Sequence, residues 1–227
     1  MIEKIISALN FILTTITYII YPPLCPLCKE IVDDRGEICE NCLKKILRLD
    51  TEKFLPEGLS GVFHITKYRE GTRRFLRKLK FENDLTVLPT LKNILKKVSD
   101  NDELENFLSQ IDLATFVPLH SERLAERGFN QTELIFKDWL EEKNLPTENL
   151  LIRKKSTPRL FNYNSEDRKK ILQDAFEIVE GKNLQGKKIL IADDIFTTGA
   201  TTSECAKVLK KFGAEKIFVL AFASDSN

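Results

Sequence analysis

Asp193 and Asp194 follow the apolar run Ile189-Leu190-Ile191-Ala192, and Thr197-Thr198-Gly199-Ala200-Thr201-Thr202 comes directly after them. The run has the character of a central parallel strand. It therefore delivers both carboxylates to the strand's carboxyl end, the edge where open α/β sheets take their ligands. Two adjacent acids there are costly unless something occupies them; a sugar diol offers two hydroxyl donors and a magnesium ion offers charge. The segment after them has the opposite character. Gly199 lets the backbone turn closely, successive N–H groups point inward, threonine hydroxyls add donors, and the following helix adds the positive end of its dipole. A diol receptor and a phosphate receptor a few residues apart suit one ribose 5-phosphate, held by Asp193, Asp194, Thr197, Thr198, Gly199, Ala200 and Thr201. A Walker phosphate loop is excluded because no G-K-[ST] occurs here, and a dinucleotide fold because no G-x-G-x-x-G opens a helix.

Two further clusters carry chemistry. Val117-Pro118-Leu119-His120 leaves a second buried strand and enters a segment with Arg123 and Arg127. Arginine suits bidentate phosphate oxygens, so His120, Ser121, Arg123 and Arg127 are candidates for a pyrophosphate loop; on the arginines alone, a solvated helix face is an equal alternative. Cys25-Pro26-Leu27-Cys28 and Cys39-Glu40-Asn41-Cys42 are two C-x-x-C knuckles ten residues apart. Four thiolates so spaced fit a closed tetrahedral structural zinc better than a redox pair or an iron–sulfur cluster. So short a segment buries too little surface to fold alone, and the metal supplies its stability. Cys205 falls on the inner face of the last long helix with Ala206 and Leu209 and reads as a free buried thiol.

Basic residues form two groups. Arg73, Arg77 and Lys80 share one helix stripe at i, i+4 and i+7, which is equally a solvated face. Arg153, Lys154, Lys155, Arg159 and Arg168 interleave with Phe161 and Tyr163 on a polar loop. Basic residues with aromatics suit single-stranded nucleic acid, through phosphate pairing and base stacking, and also suit a small pyrophosphate ligand.

The elements that must position these groups alternate. Strands are expected at 62–68, 113–117, 150–153, 175–179, 188–192 and 216–222, and helices at 71–80, 85–98, 131–142 and 201–212. A polar bend follows at 99–103, and a polar loop runs from 154 to about 168. This order predicts an α/β fold, a parallel sheet covered on both faces. Three parts are expected: an amphipathic helix over 1–24, a four-cysteine zinc module over 25–50 and the sheet domain over 59–227. In the first, Ile5, Ile6, Leu9, Ile12, Leu13 and Ile16 lie on one helix face and Ser7, Asn10, Thr14 and Thr17 on the other. The apolar run ends before Pro22-Pro23, short of a bilayer span. A packed or partner-binding helix is preferred there, with an interfacial membrane helix next and a true span last.

A net charge of +1 predicts no global attraction to nucleic acid, so any such binding needs a local patch. The clustering of four of the five cysteines points to a reducing, cytoplasmic setting rather than a disulfide scaffold; peripheral contact with a membrane stays open through the first helix.

The apolar strand, two acids, two apolar residues and T-T-G-A-T resemble the phosphoribosyl pyrophosphate motif of type I phosphoribosyltransferases. Together with the cysteine cluster, V-P-L-H, R-L and R-G-F-N-Q, the chain resembles the ComF family of phosphoribosyltransferase-fold proteins from Cys25 to about Phe222. Tyr68, Gly71, Arg73, Leu79-Lys80-Phe81, Thr157, Arg168 and Ala175-Phe176 extend the match. The resemblance implies a type I phosphoribosyltransferase sheet and phosphoribosyl pyrophosphate as ligand, with magnesium bridging sugar and pyrophosphate. It also implies an accessory role in single-stranded DNA uptake during natural competence, with a DNA-translocating helicase and recombination factors as partners. An active transferase moving the phosphoribosyl group to a base or amine is the alternative. The family usually carries a glutamine shortly after the threonine matching Thr157, where this chain reads Pro158-Arg159-Leu160, and an asparagine where it has Ile171.

Overall fold

The computed structural model describes residues 6, 17–18, 20–158 and 163–225. Most of the helix expected over 1–24 lies outside the described residues. Within them, Tyr21 donates its N–H to the Thr17 carbonyl at 2.8 Å, a helical turn, and Tyr18, Ile20 and Tyr21 are exposed.

The chain then forms α1 (Glu40–Ile46), β1 (Leu47–Thr51), β2 (Gly61–Lys67), α2 (Glu70–Phe81), a 3-10 turn at Leu85–Val87, α3 (Leu88–Lys97) and α4 (Asp102–Leu108). There follow β3 (Leu113–Phe116), α5 (Ser121–Arg127), α6 (Gln131–Glu142), β4 (Leu151–Arg153), α7 (Ser165–Leu172), β5 (Phe176–Ile178), β6 (Lys188–Phe196), α8 (Ala200–Lys211) and β7 (Lys216–Ser224).

The main sheet has the order β1-β2-β7-β6-β3. Its β2, β7, β6 and β3 are parallel, as the alternation of strands and helices predicts, but β1 is antiparallel to β2 and makes the sheet mixed. Strands β4 and β5 form a separate antiparallel pair. Alternate residues of β6 and β7 enter different cores. Leu190, Ala192, Leu220 and Phe222 pack with α2, α3 and α6 on one face, and Ile189, Ile191, Val219 and Ala221 pack with α8 on the other. A strand buried on both faces reads as a continuous apolar run, which is why these two were visible in the sequence.

Several elements differ from expectation. Leu47–Thr51 is a sheet edge rather than the polar end of the cysteine module; its short L-R-L-D-T pattern is only half-buried. The bend at 99–103 leads into α4, because the Asn101 side chain accepts the Leu104 N–H and caps a new helix. The polar loop after 154 contains α7, capped by Asn164, which accepts the Asp167 N–H. The segment after His120 is helical until Gly128, whose φ of 82° ends it in the left-handed region. Among the described residues, no helix is long and apolar enough to cross a membrane.

The cysteine module is docked, not tethered. Cys25, Ile38, Cys42 and Leu43 belong to the same core cluster as Leu76, Leu91 and Ile94. The Ile38 N–H donates to Asn93 Oδ1 at 3.2 Å, Lys97 pairs with Glu37 at 2.8 Å, and Arg74 donates to the Pro26 carbonyl at 2.7 Å. At Gly71, an added Cβ would lie 2.6 Å from a Leu27 methyl, so the module sits hard against the first turn of α2.

Candidate functional site

The sulfurs of Cys25, Cys28, Cys39 and Cys42 all lie within 4.8 Å of one another. A tetrahedral zinc with bonds of about 2.3 Å separates its sulfurs by about 3.8 Å, so the set fits the metal. All four positions are protein ligands, which makes the centre structural.

Asp193 and Asp194 lie within the carboxyl-terminal half of β6 and are 8% and 3% exposed. They contact each other: Asp193 Oδ1 accepts the Asp194 backbone N–H at 2.9 Å. Lys80, near the end of α2, donates to both oxygens of Asp194, at 3.3 and 3.1 Å. Gln131 Nε2 donates to Asp194 Oδ2 at 3.2 Å, and Arg127 donates to Gln131 Oε1, so a chain of polar contacts runs from α5 to the acid pair.

The two acids are thereby made unequal. Burial, reinforced by the charge of Asp194, pushes the Asp193 carboxyl well above its ordinary range. Burial also acts to raise Asp194, but the Lys80 charge and hydrogen bond, the Gln131 amide and the Asp193 hydrogen bond outweigh it and hold Asp194 below. The two carboxyls are thus pushed in opposite directions, with Asp194 paired to the Lys80 ammonium. Lys80 and Gln131 already occupy the Asp194 oxygens, so these residues do not fit a magnesium ion held by the protein alone.

The segment expected to hold a phosphate follows β6 directly. Thr197 and Thr198 are exposed, and Gly199, with φ 71°, caps α8. Gly199 and Ala200 are buried, and an added Cβ at Gly199 would lie 2.5 Å from Pro56 Cγ, so residues leading from β1 to β2 cover this turn. Thr202 turns inward and donates to the Gly199 carbonyl at 3.0 Å, while Thr201 is half-buried. Arg168 donates to Thr197 Oγ1 at 2.8 Å and to the Tyr163 carbonyl at 2.9 Å.

Of the pyrophosphate-loop candidates, His120 caps α5, its Nδ1 accepting the Glu122 N–H at 3.4 Å, and Ser121 is exposed on the first turn. Arg123 donates to the Thr157 carbonyl. The nucleic-acid candidates separate. Lys154 and Lys155 are exposed, whereas Arg153 ends β4 half-buried, donates to the Thr157 hydroxyl and stacks 5.4 Å from the Phe176 ring. Arg159 and Phe161 lie outside the described residues. Arg153 therefore packs against Thr157 and Phe176 rather than joining an exposed basic loop, and the reason is the strand: the run R-K-K looks uniform, but only its first member is inside Leu151–Arg153.

Two residues on the acid pair were not marked as site residues in the sequence. Lys80 reads as the last member of the basic stripe with Arg73 and Arg77, which are exposed, yet it turns to Asp194. Gln131 carried a signal, its place in R-G-F-N-Q, but a glutamine starting a helix names no partner.

The double zinc ribbon domain family matches residues 16–54. Competence protein F of Haemophilus influenzae is 28% identical over 205 residues, 88% of this chain and 84% of that protein. Competence protein ComFC of Streptococcus pneumoniae is 30% identical over 200 residues, 86% of this chain and 84% of its own length. The chain belongs to the ComF family. The DNA utilization protein YhgH of Escherichia coli is similar to it as well, 26% identical over 199 residues, 86% of this chain and 82% of that protein. Membership of the ComF family agrees with the zinc ribbon followed by an α/β sheet. Among solved structures, the chain is similar to glutamine phosphoribosylpyrophosphate amidotransferase from B. subtilis (18% identity, TM-score 0.42, 65% of this chain and 30% of that one). It is also similar to adenine phosphoribosyltransferase from Leishmania tarentolae (11% identity, TM-score 0.40, 76% and 94%). At these values the likeness says nothing about ligands.

Proposed function

We propose that the chain binds phosphoribosyl pyrophosphate or a related ribose 5-phosphate at the carboxyl end of β6 and serves as an accessory factor in single-stranded DNA uptake. The observation that carries the ligand reading is the buried acid pair of Asp193 and Asp194, with only four residues between it and the Gly199 turn that opens α8. Carboxyl oxygens side by side can accept from the two hydroxyls of a ribose. The 5-phosphate is taken by the backbone N–H groups and hydroxyls of Thr197 to Thr201, at the positive end of a 12-residue helix. Magnesium enters with the pyrophosphate group it already binds.

Replacing Asp193 and Asp194 together by Asn is expected to abolish phosphoribosyl pyrophosphate binding in calorimetry while circular dichroism and zinc content stay unchanged. Undiminished affinity would sink this reading. The DNA role takes its support from relatives named for competence and DNA utilization. Its test is retention on single-stranded DNA that weakens with salt and is lost when Lys154 and Lys155 are neutralised. A charge-independent retention would count against it. Catalysis is a second reading, favoured by the polar chain that links Arg127 through Gln131 to Asp194. It requires pyrophosphate release from phosphoribosyl pyrophosphate with some member of a panel of bases and amines.

A further inference from the structure

His64 lies in the middle of β2 and is fully buried, yet only half of its polar capacity is used. Its Nε2 lies 3.0 Å from Glu52 Oε2, while Nδ1 is buried without a hydrogen-bond partner. A carboxylate can only accept, so Nε2 carries the proton and Nδ1 keeps a bare lone pair. Burial holds the pKa of the ring below its ordinary value, which keeps it neutral. An apolar side chain would fill this place without leaving a polar atom unsatisfied, so the histidine calls for a reason.

That reason lies in what the ring holds on its two sides. On one side it packs 5.3 Å from the ring of Phe196, the last residue of β6. On the other it holds Glu52, the first residue of the connection from β1 to β2. The Glu52 N–H donates to the Val62 carbonyl at 2.9 Å, and its carboxylate, only 13% exposed, lies 3.9 Å from Arg48. Arg48 donates to Ser224 Oγ at 3.1 Å and so ties β1 to the end of β7. Past Glu52 the connection runs over the start of α8, with Pro56 against Gly199 and Gly58 near Ala206. An added Cβ at Gly199 would lie 2.5 Å from Pro56 Cγ and 3.0 Å from Phe196 Cζ, so these two residues together fill the space beside the turn. Phe196 rests on His64, and Pro56 follows the Glu52 that His64 anchors. Both supports of Gly199 lead back to one imidazole.

Gly199 has a φ of 71°, and a turn in this conformation aims successive N–H groups to one side. We propose that His64 is a positioning residue for this turn: its ring acts through Phe196 and its Nε2 through Glu52 and Pro56, and together they clamp Gly199 so that the N–H groups of 199–201 face a phosphate. That the turn receives a phosphate rests on the ribose-phosphate reading; the clamp on Gly199 does not.

Two measurements on the full-length zinc-loaded protein test it. Amide hydrogen exchange at 197–201 in the ligand-free protein reads the clamp, and calorimetry with ribose 5-phosphate reads its use. Glu52→Ala cuts the link outside the core. It is expected to speed exchange at 197–201 by roughly tenfold, and to weaken ribose 5-phosphate by a similar factor, the loss expected for one hydrogen bond to a charged group. Exchange in α3 should not change. His64→Phe keeps a ring against Phe196 and should match Glu52→Ala, and the double variant should be no worse than either, since all three cut one link. Glu52→Gln, whose side-chain carbonyl still accepts from Nε2, should restore most of the loss. Unchanged exchange at 197–201 in Glu52→Ala and His64→Phe overturns the clamp. Faster exchange across the whole domain, α3 included, overturns it too, because His64 would then be only a core residue. Local loosening without any loss of ribose 5-phosphate affinity shows that the clamp does not serve the site and overturns the proposed role. Local loosening in a protein whose wild type fails to bind ribose 5-phosphate refutes the sugar reading and leaves the clamp standing.

Discussion

The zinc ribbon and the acid pair face one physical problem and solve it in opposite ways. In the ribbon, four sulfurs converge within 4.8 Å, and as thiolates they call for a cation from outside. At Asp193 and Asp194 the chain supplies its own counter-ion in Lys80 and an amide in Gln131. The first region is folded by its metal. The second already carries its counter-ion within the chain.

Stripping the metal should break that contrast most visibly. Structural zinc contributes about 10–16 kcal/mol in isolated finger peptides, comparable with the whole stability of a domain at about 5–15 kcal/mol. Cys39→Ser is expected to lose about one zinc per chain. Because Cys25, Ile38 and Cys42 share a core cluster with Leu91 and Ile94, the melting of α2 and α3 should shift with that of the ribbon. Unaltered metal content or an unaltered thermal transition would show that the ligand set is wrong.

The acid pair is broken from its own side by Lys80→Met, which leaves Asp194 charged and buried. Losing one partner of a fully buried pair costs about 3–5 kcal/mol; Lys80 is 29% exposed, so about 2–3 kcal/mol is expected in urea denaturation. Adding Asp194→Asn should recover most of it. An additive double variant would mean that the two residues do not act on each other.

The smallest effect concerns pH. Asp193 has a raised pKa in the fold, so its contribution is fully present below the unfolded value of about 3.9 and is lost as pH rises through the folded value. Asp194, depressed, contributes above about 3.9 and loses that as pH falls through its folded value. Asp193→Asn should therefore flatten the decline of stability on the alkaline side, by less than about 1.4 kcal/mol per pH unit, and leave the acid limb alone. A parallel profile in the variant would contradict the unequal pair.

What the sequence made legible follows burial. The strands β6 and β7 show as unbroken apolar runs, and the helix Gln131–Glu142 shows through Ile135 and Trp139 on one face. Helix Ser165–Leu172 has only Ile171 and Leu172 as apolar residues, too few to mark a face, so it reads as loop. The edge strand Leu47–Thr51 is half-buried and charged, which matches the pattern of a linker. Charged residues were harder still. Lys80 and Arg153 each sit in a run of similar residues, and which member turns inward is decided by tertiary contacts that no local pattern encodes.

The position of Pro56 against Gly199, and of β1 along β2, bears on how this protein can be shortened. A fragment beginning at residue 59 looks natural from composition, yet it would leave the long β2 rim unpaired and the turn before α8 uncovered. Such a naked rim recruits other chains, so the fragment would clump rather than dissolve. Trimming before Cys25 respects the sheet; trimming after the cysteines does not.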